Sequence, residues 1–276
     1  MIKFNELFGE KKNSNNASNS DMKYTMPWTD KYRPNNLSEV VHQDDVVKML
    51  GNVLETGNLP HLLFFGFPGT GKTSCILAIA RQLFGPKKFS ERVIELNASD
   101  ERGINIVRNK IVTIAKRSVS EKDPDYVCPP FKLIILDEAD AMTMEAQSAL
   151  RKTMEDYSRI TRFCFICNYI NQIITPITSR CVKFRFKAID VEHMTKRLQY
   201  IATNENVNIT KEALQRISSI SNGDMRKGIM LLQNLSYQNE KITTNSVLEM
   251  ANMVPINILN NIVDACINNK KIKQVI

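Results

Sequence analysis

The segment Gly66-Phe67-Pro68-Gly69-Thr70-Gly71-Lys72-Thr73 fits the spacing G-x-x-x-x-G-K-[ST] and lies between an apolar run, HLLFF, and an amphipathic stretch that starts near Lys72. Phosphate binding needs these residue types in this order. Gly69 and Gly71 let the backbone approach phosphate oxygens and turn its N–H groups toward them, at the positive end of the following helix. Lys72 then reaches the β and γ phosphates, and the Thr73 hydroxyl is placed to bind a Mg²⁺ that bridges them. Ser74, in the first helical turn, completes this nucleotide-binding segment.

A second group of residues suits hydrolysis. In Lys132-Leu-Ile-Ile-Leu-Asp137-Glu138-Ala-Asp140, two adjacent carboxylates end an apolar strand, the edge where ligands of open α/β sheets bind. Asp137 is expected to hold the Mg²⁺ shell through water, and Glu138 to act as the general base on the attacking water. Asn168 ends the next apolar run, TRFCFICN, where its amide could orient water or the γ phosphate, or could simply be a strand-ending residue. Arg180, in Ser179-Arg180-Cys181, and Arg226, two residues past Asp224, could each neutralise γ-phosphate charge, although an isolated surface arginine first reads as solvated charge. Downstream of LNASDERGINIVRNK, Lys110, Lys116 and Arg117 fall within an arc of about 120° on one helix, a face that suits a nucleic-acid backbone or plain solvent.

The elements that must hold these residues follow from periodicity. Five apolar runs, HLLFF, VIELN, KLIILDE, TRFCFICN and VKFRF, alternate with helical patterns from about 61 to 186, which predicts a mostly parallel five-stranded sheet with crossover helices. The helices carry apolar stripes: Ile76, Ala80 and Leu83; Ile104, Val107, Ile111 and Ile114; Ala146, Leu150 and Met154. Past residue 188 only helical patterns follow, with Gly223 and Asp224 as break and cap, and a last helix runs from Pro255. Residues 1–26 are rich in Asn, Ser and Lys and read as a disordered tail without chemistry of its own.

Lys and Arg outnumber Asp and Glu by 37 to 29, a net charge of +8 that favours polyanionic partners. The one CxxC, Cys164 to Cys167, falls in a strand, where residues three apart point to opposite faces. With only His42, His61 and His193 as imidazoles, the six cysteines read as reduced core thiols of a reducing, intracellular compartment. No apolar run approaches the ~18 residues of a membrane span, and the first residues lack a signal-peptide core.

Taken together, the blocks Pro27-Trp28-Thr-Asp-Lys-Tyr32-Arg33-Pro34, GFPGTGKT, Leu96-Asn-Ala-Ser-Asp-Glu-Arg-Gly103, LDEAD, Phe163-Cys-Phe-Ile-Cys-Asn168, Thr178-Ser-Arg-Cys181 and Gly223-Asp-Met-Arg-Lys227 resemble the small subunits of replication factor C, from about Pro27 almost to the end. The resemblance implies an AAA+ P-loop ATPase domain over 27–188, a helical lid over 189–252, and the beginning of a helical collar over 253–276. It implies ATP and Mg²⁺ as cofactors, Asn168 and Arg226 as the two nucleotide sensors, and Trp28, Tyr32, Arg33 and Pro34 as part of the adenine pocket. It implies that Arg180 acts in trans on a neighbouring subunit's ATP, and that Arg102, Arg108 and Arg151, with Lys110 and Lys116 as weaker candidates, follow a DNA backbone. The implied partners are the other replication factor C subunits in a hetero-pentamer, the sliding clamp PCNA and primer-template DNA, in the nucleus and without a membrane. Phe67 stands where the family usually has proline. Other AAA+ motors, such as a branch-migration helicase or a checkpoint or cohesion loader, and a ring subunit that binds ATP without hydrolysing it, are the alternative readings.

Overall fold

Five strands, β1 (Leu62–Gly66), β2 (Val93–Asn97), β3 (Lys132–Asp137), β4 (Thr161–Cys167) and β5 (Val182–Phe186), form one sheet in the order β2-β3-β4-β1-β5, every pair parallel. The computed structural model describes residues 26–40, 43–98, 104–117, 123–238, 241–254 and 256–267. The expected disordered tail therefore lies outside the described residues, apart from Met26.

Strands this apolar form where both faces of a sheet are covered, and alternate residues here enter different cores. Leu62, Phe64, Leu133, Ile135, Cys164 and Ile166 pack with α2 (Asp44–Thr56) and α3 (Lys72–Arg92). Leu63, Ile134, Leu136, Phe163, Phe165 and Cys167 pack on the other face with α4 (Ile104–Lys116) and α5 (Met144–Asp156). Cys164 and Cys167 thus fall on opposite faces, as period-two geometry requires. Burial pushes the thiols of Cys75, Cys167 and Cys181 up to about 12, so all three stay protonated. Among the described residues no helix is long and apolar enough to cross a membrane.

A short helix α6 (Thr175–Thr178) leads into β5, after which the described elements are the helices α7 (Val191–Asn204), α8 (Lys211–Ser221), α9 (Met225–Ser236), α10 (Thr244–Met250) and α11 (Ile256–Ile267), with one isolated parallel bridge between Ile209 and Ile242. Four of their starts are capped by side chains: Asp190 accepts from the His193 N–H, Thr210 from Ala213, Asp224 from Lys227, and Thr243 from Ser246. Such caps satisfy backbone donors that a helix start leaves open. Met194, Leu198, Leu214, Ile217, Leu232 and Val247 form this lid's own core, against which Trp28 and Tyr32 of the amino-terminal segment pack. That segment opens with the single-turn helix α1 (Trp28–Lys31).

His61 stands at the foot of β1. Its Nδ1 accepts from the Phe163 N–H at 3.1 Å, its carbonyl accepts from the Val182 N–H at 2.8 Å, and burial, helped by Arg162, lowers its pKa to about 4. The folded chain therefore refuses a proton that the unfolded chain accepts below about pH 6.5. The stability His61 contributes is complete above that pH and is lost as pH falls from about 6.5 toward about 4. We expect His61→Gln to flatten this part of the stability profile. Urea unfolding at stepped pH tests it, and parallel profiles for the two proteins would refute the assignment.

Candidate active site

Because α3 covers one face of the sheet and α4 and α5 the other, the carboxyl ends of β1, β4 and β3 open onto a crevice. A cavity of about 340 Å³ fills it. Its floor is Pro68, Gly69, Thr70, Gly71, Lys72, Thr73 and Ser74, and one wall carries Asp137, Glu138 and Asn168. The opposite side is formed by Tyr32, Arg33, Pro34 and Val40 with Ile189, Arg197, Met225, Arg226 and Ile229 of the lid.

The loop's shape depends on backbone that only glycine adopts readily. Gly66, Gly69 and Gly71 have φ of 142°, 66° and 92°. A Cβ on Gly66 would lie 2.2 Å from the Phe186 carbonyl oxygen, and one on Gly69 would lie 1.7 Å from Asp224 Oδ1. Lys72 is only 7% exposed, and its Nζ donates to the carbonyls of Gly66 and Phe67, both at 2.8 Å, and to Asn168 Oδ1 at 3.0 Å. Burial lowers its pKa, an effect that the nearby Asp137 carboxylate opposes. Gly66 and Phe67 do not line the cavity: they serve through these carbonyls, while the Phe67 ring is 65% exposed. Proline at position 67 would leave both carbonyls in place.

Thr73 Oγ1 donates to Asp137 Oδ2 at 2.7 Å, and Asp137 Oδ1 accepts from the Glu138 N–H at 2.9 Å. Glu138 itself is exposed, with a left-handed φ of 53° that turns the chain out of β3. Two residues not foreseen as part of the site stabilise this wall. Asp140 Oδ2 accepts from the N–H groups of Asn168 at 2.9 Å and Tyr169 at 3.1 Å. Gln147, 1% exposed, donates to the carbonyls of Met142 and Gln172 and accepts from the Ile174 N–H, which pins α5 to the loop beyond Asn168. Asp140 had a signal, the third carboxylate of its motif, whereas Gln147 reads in sequence as an ordinary polar neighbour of an apolar stripe.

The lid sits directly on the phosphate loop. The Met225 N–H donates to the Gly69 carbonyl at 3.1 Å, and Arg226 follows it into the cavity lining. The amino-terminal segment spans both domains. Arg33 Nε donates to Ser74 Oγ at 3.3 Å, while the Tyr32 hydroxyl donates to Glu205 at 2.6 Å and the Tyr32 carbonyl accepts from Arg197 at 3.1 Å. Burial and the bond to Glu205 push Tyr32 up to about 12. Trp28 differs from expectation: it does not line the cavity, because its backbone N–H donates to Gln233 Oε1 and it packs on the lid core. Arg197, unforeseen, takes a place in the lining instead.

Arg180 lies far from this cavity. It precedes β5 by two residues, whereas the phosphate loop follows the end of β1, and Val182 pairs with Leu62. The four residues of β1 above that level span about 13 Å. Lys116 is exposed at the carboxyl end of α4 and Arg151 in the middle of α5, and the two helices pack beside each other. Arg102, and the side chains of Arg108 and Lys110 on α4, lie outside the described residues.

The family model "ATPase family associated with various cellular activities (AAA)" matches residues 62–189, and "RCF1/5-like, AAA+ ATPase lid domain" matches 196–236. "Replication factor C subunit 2" of Schizosaccharomyces pombe is 51% identical over 252 residues, which cover 91% of this chain and 74% of that protein. "Replication factor C subunit 4" of Homo sapiens is 50% identical over 244 residues, covering 87% and 67%. Among solved structures, the RuvB Holliday junction branch migration motor of Thermotoga maritima aligns with a TM-score of 0.62 over 85% of this chain and 79% of that one. At 18% identity that likeness concerns the fold alone.

The contact between Gly69 and Asp224 makes a specific demand. Gly69→Ala should strain the loop and drive α9 off it, weakening nucleotide affinity by roughly fivefold to 150-fold, as expected for about 1–3 kcal/mol of local strain. Gly51→Ala, in the open middle of α2 with nothing within 4 Å, should leave affinity unchanged and stabilise the helix slightly. Titration with a fluorescent nucleotide checks both, and unaltered affinity in Gly69→Ala would contradict the docked lid.

Proposed function

This chain belongs to the replication factor C subunit family of AAA ATPases, and from that premise we propose that it is an ATP-hydrolysing subunit of a clamp loader. In this reading it works in a hetero-pentamer that opens the sliding clamp PCNA and loads it onto primer-template DNA during replication and repair, in the nucleus. The observation that carries the reading is the pair of hydrogen bonds that tie the phosphate loop to the ends of β4 and β3, Lys72 with Asn168 and Thr73 with Asp137. They bring charge, hydroxyl and carboxylate to one edge of the sheet with Glu138 beside them.

ATP would place its phosphates on the N–H groups of the loop from Gly69 to Ser74, its γ phosphate beside Lys72, Asn168 and Arg226, and its adenine between the amino-terminal segment and the apolar lid residues Ile189 and Ile229. Thr73 Oγ1, a hard oxygen donor, would take Mg²⁺ directly, and Asp137, bonded to it at 2.7 Å, would hold the ion's water shell. Mg²⁺ bound there would offset charge on the β and γ phosphates. Glu138, exposed at the cavity wall, would accept the proton of the attacking water. Arg180, remote from its own cavity, would complete the site of a neighbouring subunit. Arg102, Arg108 and Arg151, with Lys110 and Lys116, would follow the DNA backbone through salt-sensitive, sequence-independent contacts.

Lys72→Ala should abolish ATP binding, while Glu138→Gln should bind ATP and turn it over more slowly by a factor of ~10² to 10⁴. Equilibrium binding together with phosphate release separates the two, and undiminished hydrolysis by Glu138→Gln would remove Glu138 from its role. ATPase measured alone and with partner subunits, clamp and primed DNA tests the function itself. Activity that needs the mixture and rises with clamp and DNA fits the proposal, and a lone chain fully active and indifferent to both overturns it. Within the assembled complex, Arg180→Ala should lower hydrolysis at the one site it serves and leave this chain's own ATP affinity intact. Loss of ATP binding by the isolated Arg180→Ala chain would contradict action in trans.

A further inference from the structure

On the side of the sheet away from the cavity, one carboxylate oxygen holds two arginines. Glu155 Oε1, near the end of α5, accepts from Arg151 Nε one helical turn earlier at 3.2 Å and from Arg180 Nη2 at 2.5 Å. Arg180 Nη1 donates in addition to the Pro176 carbonyl at 2.6 Å. Two fixed acceptors on two nitrogens of a planar group set the direction of the whole guanidinium.

The backbone beneath the cluster is rigid. The N–H groups of Ser179 and Arg180 donate to the carbonyls of Thr175 and Ile177, and Leu150, Met154 and Ile177 share one core under α5 and α6. The side chains above it face solvent, with Arg180 36% and Glu155 41% exposed. Exposed ion pairs contribute little to folding, so stability does not require this carboxylate. What it does provide is orientation. A free surface arginine samples many rotamers, and an arginine that must meet a phosphate on another molecule works best when its geometry is set in advance. Hydrogen bonding to Arg151, with the charge of Arg180, keeps the Glu155 carboxyl below its usual range, so the carboxylate remains an acceptor at neutral pH.

We propose that Glu155 is a positioning residue: it holds the Arg180 guanidinium in the orientation presented to a neighbouring subunit's ATP, and Arg151 in turn fixes the Glu155 carboxylate. The inference rests on the reading of Arg180 as a trans-acting residue.

The test compares Arg180→Ala, Glu155→Ala, Glu155→Asp and the Arg180→Ala/Glu155→Ala double variant in the complete hetero-pentamer with clamp and primed DNA, recording kcat, KM for ATP and assembly by gel filtration. We expect Glu155→Ala to lower kcat at the affected site between tenfold and a hundredfold, with KM and assembly unchanged. Glu155→Asp should recover part of the loss, and the double variant should be no slower than Arg180→Ala. Full turnover by Glu155→Ala beside an impaired Arg180→Ala overturns the role of Glu155 alone. Multiplied losses in the double variant, or failed assembly in Glu155→Ala and Glu155→Asp but not in Arg180→Ala, overturn it as well, since Glu155 would then act elsewhere. Full turnover by Arg180→Ala overturns the trans reading and the inference together.

Discussion

A lysine ammonium taken out of water must find acceptors for its protons, and the nucleotide site is arranged around the three acceptors that Lys72 finds. Two are carbonyls of its own loop, which can turn inward only because Gly66, Gly69 and Gly71 tolerate positive φ. The third is Asn168, from a strand 96 residues later, whose own backbone is held by Asp140. A single buried charge thereby couples the loop after β1 to the ends of β3 and β4. The same charge stands next to the Thr73–Asp137 pair, so hydroxyl, carboxylate and ammonium share one small volume.

The lid is joined to this centre by a different kind of contact. Its core is independent of the sheet's two cores, and what binds it to the phosphate loop is one backbone hydrogen bond, from Met225 to Gly69, with Asp224 packed where a side chain on Gly69 would be. The segment from Trp28 to Pro34 ties the two units from the side, bonded to the lid through Trp28 and Tyr32 and to α3 through Arg33. Two units with separate cores, joined through such contacts, are disposed to relative motion. A cavity walled by both units is then sensitive to what fills it.

The two edges of the sheet carry different chemistry. Strand ends that share a direction expose all loops of one kind at one edge, which collects the phosphate loop, Asp137, Glu138 and Asn168. The opposite edge collects the carboxyl end of α5 and the turn before β5, and with them Arg151, Glu155 and Arg180. Helix α5 runs between the edges, a length of about 20 Å for its thirteen residues. Gln147, in its first turns, bonds to Met142, Gln172 and Ile174 and so anchors the end of α5 nearest the cavity.

Much of this was legible in the sequence because its signals are local. Period-two and period-3.6 patterns, the helix cap at Asp224 and the spacing of the phosphate loop all act over a few residues, so the five strands and the change to helices after β5 could be read directly, while the AAA class came from the resemblance of whole motif blocks. Strand order, the Asp140 hold on Asn168, the Gln147 bridge, the displacement of Trp28 to the lid and the clamp of Glu155 on Arg180 could not. Each joins residues roughly 25 to 205 positions apart, and no spacing rule reaches that far. Composition and periodicity determined which side chains this protein has for its chemistry and which element carries each. Only the packing of two apolar faces against one parallel sheet decided which of them meet, because a contact between distant segments exists only once both faces are buried.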